Sequence, residues 1–192
     1  LLAQIGGQAL DIGFSKAPID SLTEKDVIDM YWRKTGALYE FAGAAGAMIG
    51  LNTKNRIHPQ VQAISSFTSE CGVAFQLKDD ILGLTADEAT LGKPVCSDIR
   101  EGKRTLLLIY AYQKSSSAEK SFIRDVVGKS SARDSQIKEV RDLIMMRGGV
   151  EYVNSIMETR IARAIENIEA ISDSLYKKYL INWAEYLIGR SF

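Results

Sequence analysis

The chain is poor in the residues that usually announce a specialised chemistry. It has two cysteines, one histidine, three prolines and two tryptophans among 192 residues. Cys71 and Cys96 stand in contexts unlike a zinc motif and, with no secretory signal visible, read as reduced, buried thiols. The lone histidine, His58, precedes Pro59 in a predicted loop and reads as a surface residue. Net charge is absent too. The 24 basic and 24 acidic residues cancel, which removes a broad electrostatic case for nucleic acid or an anionic membrane. The longest uncharged run, Phe41 to Thr53, falls well short of the roughly 20 residues a membrane-spanning helix needs. No stretch alternates well enough for a strand, and no internal repeat is visible.

What remains is helix. Leu1, Leu2, Ile5, Ala9 and Ile12 fall at helical spacing, and Pro18 closes that segment. The chain opens on Leu1-Leu2-Ala3-Gln4, which reads as the middle of a helix and predicts a segment before it. Thr23 is a predicted N-cap, with Glu24 and Asp26 in the first turn, for a helix reaching about Ile49. Gly43 and Gly46 on that helix would let a neighbour approach closely. Asn52 to Pro59 is a predicted loop, followed by a long helix to about Leu84. A loop spans Thr85 to Arg100. Helical spacing resumes at Leu106 and is ended by Ser115-Ser116-Ser117, with Ser117 the expected cap of the next helix. Ile137, Val140 and Ile144 then lead to a Gly148-Gly149 stop. Val150, Val153, Met157, Ile161, Ala164, Ile168, Ile171 and Leu175 describe one long apolar stripe. The sequence thus predicts an all-α single domain. The stripe reads as core, with a partner-binding helical interaction module as the alternative.

The chemistry concentrates at Phe75-Gln76-Leu77-Lys78-Asp79-Asp80. Gln76 lies three residues from Asp79 and four from Asp80, so all three side chains can share a helix face. Adjacent ionised acids repel, and a divalent cation removes that cost. Magnesium prefers oxygen ligands and is commonly held by one or two carboxylates together with phosphate oxygens. Gly92-Lys93-Pro94, Asp98, Arg100 and Gly102-Lys103-Arg104 follow within a short distance. A lysine suits a phosphate as a point charge. The reading requires Asp79, Asp80 and Lys93 to converge across one cleft.

These elements closely resemble the second aspartate-rich region of the trans-prenyltransferases, the farnesyl and geranylgeranyl diphosphate synthases and their longer-chain relatives. Tyr31, Lys34 and Thr35 resemble the Lys-Thr element of that family, and Gly7-Gln8-Ala9-Leu10-Asp11 a third element lining the same cavity. The resemblance, archaeal in flavour, covers the chain to about Thr105. It implies an isoprenoid-synthase-type helical bundle, of which residues 1–192 form the C-terminal part. It also implies condensation of an allylic diphosphate with isopentenyl diphosphate, Mg2+ as cofactor, a homodimer and a cytoplasmic setting. Asp79 would be a direct magnesium ligand, with Asp80 and Asp98 holding metal-bound water or orienting ligands. Lys34 and Lys93 would contact the allylic diphosphate, and Lys103 would support it. Gln76 and Thr35 would face the reacting carbons, and Gln8 and Asp11 would support the cavity. Two departures stand out. Gly83 replaces an acid frequent in the motif, with Asp87 as a possible substitute, and no first aspartate-rich motif occurs within residues 1–192. That second departure predicts an inactive fragment and keeps open a non-catalytic prenyltransferase-like subunit.

Overall fold

A computed structural model describes residues 1–86 and 96–190. The described residues are helical, without strands. Helix α1 covers Leu2–Lys16, and a short 3-10 turn at Ile19–Ser21 leads to α2, Glu24–Tyr31. Thr23 caps α2 as predicted. Its hydroxyl accepts from the Asp26 N–H at 3.3 Å, and the Asp26 carboxylate accepts from the Thr23 N–H at 2.8 Å. This reciprocal box satisfies two donors that a helix start leaves unpaired.

The helix opened by Thr23 does run to Gly50, but not as one regular α-helix. A π-helical turn, Trp32–Gly36, separates α2 from α3, Ala37–Gly50. Wider turns of this kind are rare and concentrate at functional sites. This one contains Lys34 and Thr35.

Helix α4, Pro59–Thr85, is the central element, packed against α3 on one side. His58 is half-buried rather than a bystander on the surface: it is the N-cap of α4, and its Nδ1 accepts from the Gln60 N–H at 3.3 Å. Phe67, Cys71, Val73, Ala74, Leu77, Ile81 and Leu84 of α4 enter the core. Cys96 is also buried and, like Cys71, unbridged.

After the described gap come α5, Ser97–Glu101, and α6, Leu106–Lys114. Helix α7, Ser117–Val126, is capped by Ser116 rather than Ser117, so the expectation was one residue late. Helix α8 spans Asp134–Met146, and α9 spans Gly149–Asn167 on the other side of α4. Val153, Met157, Ile161 and Ala164 of α9 are core, which removes the stripe as a free partner-binding face. The stripe outlasts its helix, through fully buried Ile168 and through Ile171, but does not reach Leu175. Ile168 lies at the α9 C-cap, and Leu175 begins a separate exposed turn of α10, Leu175–Gly189.

Two glycines bring the π-turn unusually close to its neighbours. A Cβ on Gly7 of α1 would stand 2.3 Å from the Lys34 backbone nitrogen. A Cβ on Gly72 of α4 would stand 2.7 Å from the Gly36 Cα. Only hydrogen at these positions lets three backbones stack. Gly43 has the predicted packing role, against Thr68, whereas Gly46 faces open space.

Candidate active site

The π-turn, α4 and the start of α6 meet along a buried polar seam. The Thr35 hydroxyl donates to Gln76 Oε1 at 3.0 Å, and Gln76 Nε2 donates to Asp80 Oδ1 at 3.2 Å. Asp80 Oδ2 accepts from the Tyr31 hydroxyl. That hydroxyl accepts in turn from the Leu106 N–H at 3.2 Å, a donor of the first turn of α6. The chain of bonds therefore links three segments far apart in sequence. Each buried polar group in it has a partner, as a low-dielectric site demands.

Asp80 is 8% exposed. Burial pushes its carboxyl up to about 7; the Asp98 charge adds to this, while the Tyr31 and Gln76 bonds and Lys103 oppose it. Burial likewise pushes the Tyr31 phenol well above its usual range, reinforced by Asp80.

Two ion pairs flank the seam. Lys34 Nζ lies 2.6 Å from Asp11 of α1, so Asp11 aims the ammonium the resemblance assigns to the diphosphate. Lys103 Nζ lies 2.6 Å from Asp98 and 3.2 Å from Glu101. Burial lowers the Lys103 pKa, but the Asp98 and Glu101 contacts outweigh it and leave it above the usual lysine range. A cavity of about 30 Å³ is lined by Asp11, Tyr31, Lys34, Gln76, Asp80 and Lys103, among others. That space suits a water rather than a larger ligand. A still smaller one of about 10 Å³ joins Asp80, Asp98 and Lys103 beside Gly83.

Several predicted site residues do not join this cluster. Asp79 turns away from Asp80, because adjacent helical residues point about 100° apart. Its Oδ1 is paired with Arg190 at the end of α10. The Arg190 guanidinium also donates to the Phe75 carbonyl at 3.2 Å and sits 4.1 Å above the Phe75 ring. Such stacking adds to the ion pair. The expected shared face therefore holds for Gln76 and Asp80 but not for Asp79. Gln8 is exposed and makes no side-chain bond among the described residues. Lys93 and Asp87 lie outside the described residues. Tyr31 was visible as part of a motif, but nothing in the sequence gave it a role. Arg190, 111 residues from its partner, carried no local signal.

Among the described residues no three His, Cys, Asp or Glu side chains form a metal-holding group, so Asp79, Asp80 and Asp98 do not make a protein cage. Asp80 accepts one neutral donor on each oxygen and is buried, and Asp98 is committed to Lys103. Asp79 is different. Its side chain is 41% exposed, and Oδ2 accepts no bond among the described residues. One accessible carboxylate and oxygen-only chemistry fit magnesium, which takes most of its ligands from phosphate and water.

Comparison with known proteins gives the family. The family model described as polyprenyl synthetase matches residues 1–144. The chain is 37% identical to a geranylgeranyl diphosphate synthase of Sulfolobus acidocaldarius over 186 residues, covering 96% of this chain and 54% of the relative. It is 32% identical to a short chain isoprenyl diphosphate synthase of Methanothermobacter thermautotrophicus, with the same coverage. The crystal structure of geranylgeranyl pyrophosphate synthetase from Pyrococcus horikoshii superposes with a TM-score of 0.85 at 34% identity, covering 98% of this chain and 55% of that one. The chain thus spans about half the length of the curated relatives it matches, and it belongs to the polyprenyl synthetase family.

Proposed function

We propose that residues 1–192 form the C-terminal part of a larger prenyltransferase domain, and that they hold the leaving group. The reaction joins an allylic diphosphate to isopentenyl diphosphate and gives a longer polyprenyl diphosphate. The observation that carries the reading is the polar seam itself. It brings Lys34, Gln76, Asp80 and Lys103 around one water-sized cavity, fixes each of them by a partner, and leaves the two lysine side chains about a third exposed, where a diphosphate can meet them from outside.

Lys34 and Lys103 supply positive charge for the departing diphosphate. Their own acids, Asp11 and Asp98, hold the ammonium groups in place beforehand. Such preorganisation avoids reorienting dipoles during ionisation and is worth several kcal/mol of barrier. Gln76 and Thr35 present polar atoms on the same wall, where their dipoles can face developing positive charge on the allylic carbon. Asp79, the exposed carboxylate, would hold magnesium, with Asp80 and Asp98 orienting the residues of the adjoining seam. When bound, the metal supplies Lewis-acid neutralisation of the leaving oxygen. Lys93, outside the described residues, is assigned to the diphosphate by the family resemblance alone.

The reading extends to a homodimer in the cytoplasm. The dimer is supported by α1, which exposes Leu2, Ile5 and Ile12, and the setting by the family resemblance alone.

Calorimetry of the 192-residue chain with inorganic pyrophosphate tests the site. Weak binding that requires Mg2+ is expected, with Asp79→Asn diminishing it. Identical binding by the two proteins would refute the assignment. Turnover of the isolated chain with both diphosphates is expected to be negligible, because it carries no Asp-Asp-x-x-Asp motif. Product formed by protein of confirmed mass would overturn that expectation.

A further inference from the structure

We propose that Tyr31 is a positioning residue of this site, acting through Asp80; the inference deepens the proposed function and rests on it. Tyr31 is 3% exposed, and its hydroxyl is used in both directions. It donates to Asp80 Oδ2 and accepts from the Leu106 N–H at 3.2 Å. A phenol offers one donor hydrogen and acceptor lone pairs, so one atom can clamp a carboxylate on α4 to the first turn of α6. Among the described residues no other side chain touches both segments in this way.

The clamp matters because of what it joins. Lys103, Arg104 and Thr105 precede Leu106 directly, and Thr105 caps α6 by accepting from the Leu108 N–H at 3.3 Å. The position of the Lys103 segment is thus tied to the start of α6, and Tyr31 ties that start to Asp80. On the other side Asp80 holds Gln76, which holds Thr35. Tyr31 itself is the last residue before the π-turn that carries Lys34 and Thr35. Removal of its hydroxyl leaves Asp80 with Gln76 alone and strands the Leu106 N–H, one of the donors a helix start cannot satisfy internally. The carboxylate, the amide and the lysine loop then lose their common reference, although each residue remains.

A double-mutant cycle reads this, with inorganic pyrophosphate and Mg2+ as the probe and the 192-residue chain as the protein. Tyr31→Phe is expected to weaken magnesium-dependent pyrophosphate binding about tenfold, as loss of a supporting hydrogen bond behind a ligand typically does. Asp80→Asn, which keeps the shape of the side chain, tests the same bond from the other side and should weaken it similarly. The double variant should be no weaker than either single one. Hydrogen exchange at the Leu106 amide should speed up in Tyr31→Phe.

Tyr112→Phe is the control for a merely structural role. Its buried hydroxyl bonds Asp20 at 3.0 Å and Arg124 at 2.6 Å, outside the site. It should lower thermal stability and leave pyrophosphate binding unchanged. Wild-type affinity in Tyr31→Phe, multiplicative losses in the double variant, or an equal loss in Tyr112→Phe would each overturn the inference while leaving the proposed function standing. Absence of magnesium-dependent binding in the wild type would sink both.

Discussion

The buried seam and the outer face of α1 and α3 obey opposite rules. Along the seam, polar groups are buried, each has a partner, and the free space amounts to about 30 and 10 Å³. On the outer face, large apolar side chains stand in the open. Phe41 is 66% and Ile49 81% exposed, beside hollows of about 650 and 450 Å³ that share Phe41. Exposed apolar surface of this extent marks a place where something else packs. The seam is closed and its polar groups are paired, whereas the face is open and apolar. The larger hollow is therefore not the chemical centre: its lining is apolar apart from Asn52, Thr53, Lys54 and Arg56.

The sharpest way to break the contrast is to disturb the seam's backbone. Gly72→Leu places a side chain against the Gly36 Cα, where only backbone can yield, and should cost about 4 kcal/mol, near the top of the range for single changes. Urea unfolding measures it. On the outer face, the double change Phe41→Ser and Ile49→Ser should alter stability by no more than about 0.5 kcal/mol per site. It should lower self-association instead, which sedimentation velocity reads. A large stability loss would mean that this face is already covered in the isolated chain.

The smallest effect concerns an exposed cap far from either region. Bonds from Arg147 and from the Ser116 backbone hold the Glu119 carboxyl down to about 2. A depressed acid contributes stability that is present above its unfolded value near 4.3 and is lost as pH falls toward about 2. Thermal melts of wild type and Glu119→Gln should therefore differ at neutral pH and converge as pH falls from about 4 to about 2. Asp80 shows the reverse electrostatics, since burial raises rather than lowers it. The two acids separate what a surface cap does from what a buried site does.

Much of the fold was legible because helices announce themselves locally. The Thr23 cap, the apolar period of α4 and the Gly148-Gly149 stop needed only neighbouring residues. The Gln76–Asp80 bond was legible for the same reason, being one helical turn long. That Asp79 faces away from Asp80 follows from the winding of one helix, but its pairing with Arg190 was not legible, since no local pattern encodes a contact 111 residues away. Helix α10, which delivers Arg190, was not predicted beyond Leu175, the last residue of the stripe. The π-turn left no trace in composition. It becomes visible only once Gly7 and Gly72 are seen pressing on it from two sides.

That turn has a consequence for how this segment tolerates changes of length. A π-turn inserts one residue into the helical winding, and each residue advances the winding by about 100°. Deleting a single residue between Trp32 and Gly36 would restore ordinary winding without breaking the rod. It would also swing the lysine and threonine around the axis, away from the glutamine and aspartates they now meet. Point substitutions here would leave the lining in phase, whereas a one-codon deletion would silence the site in a protein that still folds.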